Sequence, residues 1–164
     1  MPLLVQELRV RAYRQTAIQV PDCLPPQQPA GHAGRYHRPG DPWPLYASLD
    51  HDTMWAEWAR ATAGGVEREG EERAVCTLDL DLRVLDLRAP ATRETLGVTL
   101  QQLVGQWSPE SPNQACMAVA RAAAEARADG YAVPSAARAG GWNLAVLPAA
   151  FDRVHVARRV RARP

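Results

Sequence analysis

The sequence predicts an α+β fold, and three observations lead there. Cys76, Leu78, Leu80, Leu82 and Val84 alternate with Thr77, Asp79, Asp81 and Arg83, the two-residue period of a half-buried strand. An alanine-rich stretch after Ser111-Pro112 reads as a helix running to about Ala128. Finally, the elements read β, loop, β, α, β, short helices, α, β, β, β, an order that does not alternate strictly as an α/β protein would.

Leu3 to Tyr13 reads as a first strand with Leu8, Val10 and Ala12 on one face. Pro21 to Pro44 is rich in Pro and Gly and cannot hold regular structure for long. An irregular stretch of that length is usually functional or disordered, and the loop around Arg35 favours function. Leu45 to Ser48 is a short strand. Ser48 or Asp50 then caps a helix reaching about Ala63, stopped by Gly64-Gly65, with Met54, Trp55, Trp58 and Ala59 as its buried face. Glu67 to Arg73 reads as a solvated loop. The alternation beginning at Cys76 slips near Val84-Leu85, which suggests a bulge or a turn into a second short strand ending at Leu87. Thr92 to Gly97 and Leu100 to Trp107 look like short helices. Ser111 and Pro112 supply an N-cap and first-turn proline for the long helix, which Asp129-Gly130 ends. Tyr131 to Val133, Trp142 to Leu147 and Val154 to Val160 complete the strands.

Composition bounds the function. A chain of 164 residues fits one domain, residues 1–164, and 46% hydrophobic with 23% charged residues is ordinary for a folded protein. A formal net charge of +1 gives no global field and disfavours indiscriminate nucleic-acid binding. Every basic residue is Arg, which excludes a lysine Schiff base or a P-loop lysine and leaves cations suited to two-pronged grips on phosphate. Cys23, Cys76 and Cys116 form neither a disulfide framework nor a metal spacing, so a reducing cytoplasm is expected. His32, His37, His51 and His155 lack ligand spacing, and no metal is expected. No segment approaches the roughly 20 apolar residues of a membrane helix, nor does the N-terminus carry a signal peptide's apolar run.

Chemistry concentrates in three stretches. Gly34-Arg35-Tyr36-His37-Arg38-Pro39-Gly40 precedes Leu45-Tyr46; Glu57 lies in a helix-like segment; Pro134-Ser135 leads to Gly140-Gly141-Trp142-Asn143-Leu144. An arginine in a glycine-rich loop, an aromatic, a glutamate and a serine suit an anionic nucleotide-like ligand with a cationic reaction centre. Singly, each has a plainer reading: Glu57 as a surface glutamate, Tyr46 as core packing, Ser135 as turn chemistry. Arg35 resists that reading best, because the glycines around it allow backbone to approach a ligand closely. Nothing near Ser135 reads as a nucleophile elbow or a Ser-His pair.

In their order these pieces resemble the RES domain, a family named for its Arg, Glu and Ser. The resemblance runs from Tyr13-Arg14 through the Gly34-Arg35 loop, Leu45-Tyr46 and Glu57 to the Gly140–Leu144 strand. Tyr46 stands eleven residues after Arg35, and Glu57 eleven after Tyr46. Two departures appear: Tyr36-His37 stand where the family usually has Trp-Asn, and the stretch between Glu57 and Ser135 is long. The resemblance implies an ADP-ribosyltransferase-like fold of split, twisted sheets flanked by helices. It also implies a toxin that cleaves the nicotinamide–ribose bond of NAD, by phosphorolysis with inorganic phosphate or by hydrolysis. Glu57, Arg35 and Ser135 would be catalytic; Arg14, Arg35, Tyr46 and His37 would hold the substrate. The implied partner is a helix-turn-helix antitoxin of Xre type, which would carry any DNA binding, with a homodimer as a further expectation. ADP-ribosyl transfer to a protein, or an inert domain keeping the fold, are the alternatives.

Overall fold

The computed structural model describes residues 5–25, 30–63 and 71–162. Six strands form one sheet: β1 (Val5–Ala17), β2 (Leu45–Ser48), β3 (Arg73–Asp86), β4 (Gly130–Pro134), β5 (Trp142–Val146) and β6 (Val154–Arg161). Helix α1 (His51–Ala63) follows β2, and α2 (Pro90–Leu96), α3 (Leu100–Val104) and α4 (Gln114–Glu125) lie between β3 and β4. The α+β expectation holds, with helices flanking a sheet. The strands are not split into separate sheets, however.

Strand order is β1-β2-β5-β4-β3-β6, and β1 also pairs with β3 from Val5↔Leu85 to Ala17↔Arg73. The row β1-β2-β5-β4-β3 therefore returns to its start, with β1 and β2 meeting at Tyr13↔Ser48. One side of the ring holds Ala12, Leu45, Ala47, Leu78, Leu80, Leu82, Leu144 and Val146. The other carries Leu85, Leu87, Tyr131, Val133 and Ala145 against α3 and α4 residues such as Leu103, Cys116 and Val119. Leu8, Val10 and Ala12 share the first face, as their alternation predicts.

Strand β3 explains the phase slip. It runs unbroken to Asp86, and Val84 belongs to one core while Leu85 belongs to the other. A strand end covered on both faces reads as an apolar run, so neither a bulge nor a second strand is needed. The strand also starts three residues before the alternation becomes regular: Arg73, expected in a solvated loop, opens it, buried beside Glu71 at 3.3 Å. Residues 64–70, with the expected Gly64-Gly65 stop and most of that loop, lie outside the described residues.

Three further expectations are corrected. Helix α4 is capped by Asn113, whose side chain accepts from the N–H groups of Ala115 and Cys116, and not by Ser111. In α1 Thr53 and Met54 are buried, while Trp55 is 39% exposed and Ala59 is exposed, so the inward face is rotated from the expected one. Cys23 and Cys76 form a disulfide across 53 residues, a pairing that their spacing did not signal. With Cys23 and Cys76 paired, cysteine usage does not point to a reducing compartment. No helix among the described residues is long and apolar enough to cross a membrane.

Candidate active site

The helix that carries Glu57 starts where β2 ends. Asp50 caps it, its carboxylate accepting from the Thr53 N–H at 2.7 Å and from the Thr53 hydroxyl at 2.8 Å. Burial alone would push the Asp50 carboxyl up. The Thr53 hydrogen bonds and the Arg138 charge outweigh it and leave Asp50 below the ordinary carboxylate range. Helix α1 packs on β1 and β2, and its second turn sets Glu57 against the ends of β4 and β5.

There the carboxylate meets two donors. Ser135 Oγ donates to Glu57 Oε1 at 2.7 Å, and Asn143 Nδ2 donates to the same oxygen at 2.5 Å. Ser135 is 4% exposed, and its oxygen also accepts from the N–H groups of Ala137 and Arg138, both at 3.1 Å. The 135–141 turn is closed by Ser135 N–H to the Gly141 carbonyl at 2.9 Å. A Cβ on Gly141 would lie 2.4 Å from Thr53 Oγ1, so only glycine lets this turn meet α1. Arg138 then reaches Thr53 Oγ1 at 3.1 Å and Asp50 at 3.3 Å, tying the turn to the helix start. On the other side Ser48 Oγ donates to Asn143 Oδ1 at 2.8 Å.

The glycine-rich loop is built differently. Gly34 and His37 close a tight turn by a reciprocal pair of main-chain bonds, which lays the His37 ring over Gly34. A Cβ there would sit 2.1 Å from His37 Cε1. His37 is 5% exposed, packed beside Trp43, with Nδ1 3.1 Å from the Tyr46 hydroxyl. Burial, reinforced by His32, lowers its pKa and keeps the ring neutral. Burial likewise pushes the Tyr46 hydroxyl up, so it stays protonated.

Of the sequence candidates, Glu57 and Ser135 are in direct contact, and so are Tyr46 and His37. The two pairs share a face of the sheet. Tyr46 and Ser48 are two residues apart on β2, roughly 7 Å along the strand, and Ser48 links through Asn143 to Glu57. Arg14 Nη1 donates to the Tyr46 carbonyl at 2.9 Å, which places its guanidinium at β2 as well. Arg35 points elsewhere: its Nη1 donates to the carbonyls of Leu103 at 3.3 Å and Gly105 at 2.7 Å, at the end of α3. Asn143 was missed by sequence reasoning. It stood in the quoted Gly-Gly-Trp-Asn-Leu run, but nothing in a strand marks which polar residue faces a helix.

The site of namesake residues thus has a glutamate and a serine joined by one hydrogen bond, 78 positions apart in sequence. The RES domain family model matches residues 9–164. This chain belongs to the RES domain family. A Mycobacterium tuberculosis protein named "Probable NAD(+) phosphorylase" is 35% identical to this RES domain over 127 residues, 77% of the chain. The chain spans 59% of that curated relative's length. A chain of the M. tuberculosis MbcT-MbcA toxin-antitoxin complex superimposes with a TM-score of 0.78 at 25% identity, covering 96% of this chain and 86% of that one. Among the described residues of the RES domain, no group of three or more His, Cys, Asp or Glu side chains is arranged to hold a metal ion.

Proposed function

We propose that residues 1–164 act as one RES domain that consumes NAD by cleaving its nicotinamide–ribose bond. The observation that carries the reading is the Glu57–Ser135–Asn143 cluster, an acceptor held by two donors at the meeting point of α1, β4 and β5. As the C–N bond breaks, nicotinamide leaves with the electron pair and positive charge spreads over the ribose. A fixed carboxylate opposite that charge supplies the electrostatic stabilisation that usually dominates such steps. An oxygen of phosphate or water then bonds to the ribose carbon and its proton passes to solvent.

Tyr46 offers its ring as a wall for the nicotinamide, with His37 bracing its hydroxyl. Arg14 stands at the same strand for the pyrophosphate, and Ser135 positions the ribose side of the cluster. Arg35, anchored on α3, would serve the ligand from the loop's far side through the guanidinium nitrogens that do not bond Leu103 or Gly105. The fold is read as ADP-ribosyltransferase-like, and the cytoplasm, where NAD is plentiful, as the setting. The relative in a toxin–antitoxin complex supports a toxin restrained by an antitoxin, for which an Xre-type helix-turn-helix protein and a dimeric assembly remain our proposal.

Purified protein incubated with NAD, with and without inorganic phosphate, tests the reading. Release of nicotinamide only with phosphate, together with a phosphorylated ADP-ribose, marks phosphorolysis; free ADP-ribose without phosphate marks hydrolysis. Added ADP-ribose mass on cell proteins with the free NAD pool unchanged would instead mark protein modification. No nicotinamide in either condition at high protein concentration would leave an inert domain.

A further inference from the structure

The cluster at Glu57 contains one residue that is braced from the core side. Strands β2 and β5 pair Ser48 directly with Asn143, so both side chains stand on one face of the sheet. An ionised carboxylate only accepts hydrogen bonds, hence Asn143 must turn its amide nitrogen towards Glu57. Its carbonyl oxygen must then face Ser48, and the Ser48 hydroxyl must donate. The observed bonds follow that polarity throughout: Ser48 Oγ to Asn143 Oδ1 at 2.8 Å, Asn143 Nδ2 to Glu57 Oε1 at 2.5 Å. Because Ser135 donates to the same oxygen, both hydrogen bonds land on Oε1, and Oε2 receives none among the described residues.

We infer that Asn143 is a positioning residue, its amide turned by the acceptor-only Glu57 and braced from behind by Ser48, and that it fixes the rotation of the Glu57 carboxylate so that Oε2 faces the reacting sugar. The inference rests on the proposed cleavage of NAD and assigns which oxygen does the work. A glutamate on an otherwise half-exposed helix face turns freely about its last bond; two donors on one oxygen remove that freedom before substrate arrives. Ser48 is 4% exposed and lies behind Asn143, so it acts only through the amide.

The test compares three substitutions. Asn143→Asp keeps the shape and removes the donor, setting an acceptor against Glu57. Asn143→Ala removes both, and Ser48→Ala removes the bond that holds the amide oxygen in place. The expected loss of kcat for nicotinamide release is about 100-fold for Asn143→Asp, about tenfold for Asn143→Ala and a few-fold for Ser48→Ala, with KM changed by less than about threefold. The Ser48→Ala/Asn143→Ala double variant should be no slower than Asn143→Ala alone. A residue that merely fills space gives the reverse order, with the isosteric aspartate the milder change, and that order overturns the inference. So does additivity in the double variant.

A second measurement does not depend on turnover. In 15N-labelled protein the two side-chain amide protons of Asn143 should be widely split, one of them bonded to Glu57, and the split should collapse in Glu57→Ala. An identical split in both proteins overturns the inference. If the unsubstituted protein releases no nicotinamide, the proposed function falls, and the amide protons alone decide whether the orienting contact exists.

Discussion

The corner at Glu57 and the loop around Arg35 were equally prominent in the sequence, yet they are built on opposite principles. In the corner, polar side chains from α1, β2, the 135–141 turn and β5 satisfy one another, and Glu57 is left with one oxygen occupied twice. In the loop, a glycine next to an arginine makes room for an aromatic ring. Gly34 accommodates His37, while Arg35 neutralises carbonyls at the end of α3. A glycine-rich loop with a cation is commonly read as a cradle for an anion. Here the same residue types also assemble a wall, and only the packing tells the two uses apart.

The corner and the loop should part most widely when the carboxylate is changed. Glu57→Gln should cut nicotinamide release by on the order of 10²–10³ while the urea midpoint changes little, since the amide keeps size and one acceptor. A comparable loss of folding would make the corner structural and erase the contrast. Gly34→Ala should behave in the opposite sense. Its methyl collides with the His37 ring, and overpacking of this kind costs about 1–3 kcal/mol of stability. An alanine variant with an unchanged urea midpoint would show the loop to be slack.

Asp50→Ala should weaken the corner on a smaller scale. Loss of the cap on α1 should cost about 1 kcal/mol, detectable by thermal unfolding, and this contribution should fade in acid. The folded Asp50 carboxyl lies below its unfolded value, so its stabilisation is present above the unfolded pKa and is lost as pH falls through the folded one. The smallest effect is a slope belonging to the loop. His37 is held neutral, below its unfolded pKa of about 6.5. As pH falls through that value the unfolded chain takes a proton that the folded ring refuses, so stability declines towards the folded pKa. Urea midpoints between about pH 7.5 and 5.5 should show the decline, and His37→Gln should flatten it.

Much of this was legible beforehand, for reasons that can be named. Alternation placed β1 and β3, because one face of each meets a closed core. The family-like order placed Glu57 and Ser135, which do touch. What stayed hidden depended on tertiary partners. Asn113 displaced Ser111 as a cap because its side chain also reaches back to the Gln102 carbonyl. Val84 and Leu85 looked like a slip because two cores flank one strand end. Cys23 meets Cys76 because the segment after β1 lies back against β3, a tertiary contact that the spacing does not signal. Arg35 kept its place in the motif, but its carbonyl partners on α3 carry no mark in the sequence.

Leu45↔Val146 and Ala47↔Leu144 align β2 with β5, and these four aliphatic residues lie inside the ring. Sliding β2 by a single residue would drive Ser48 into oil and hand Asn143 a methyl group in its stead. Greasy side chains that never touch Glu57 thus keep the acid's aim true, and variation confined to that hidden interior should be able to misalign the corner without altering one of its polar atoms.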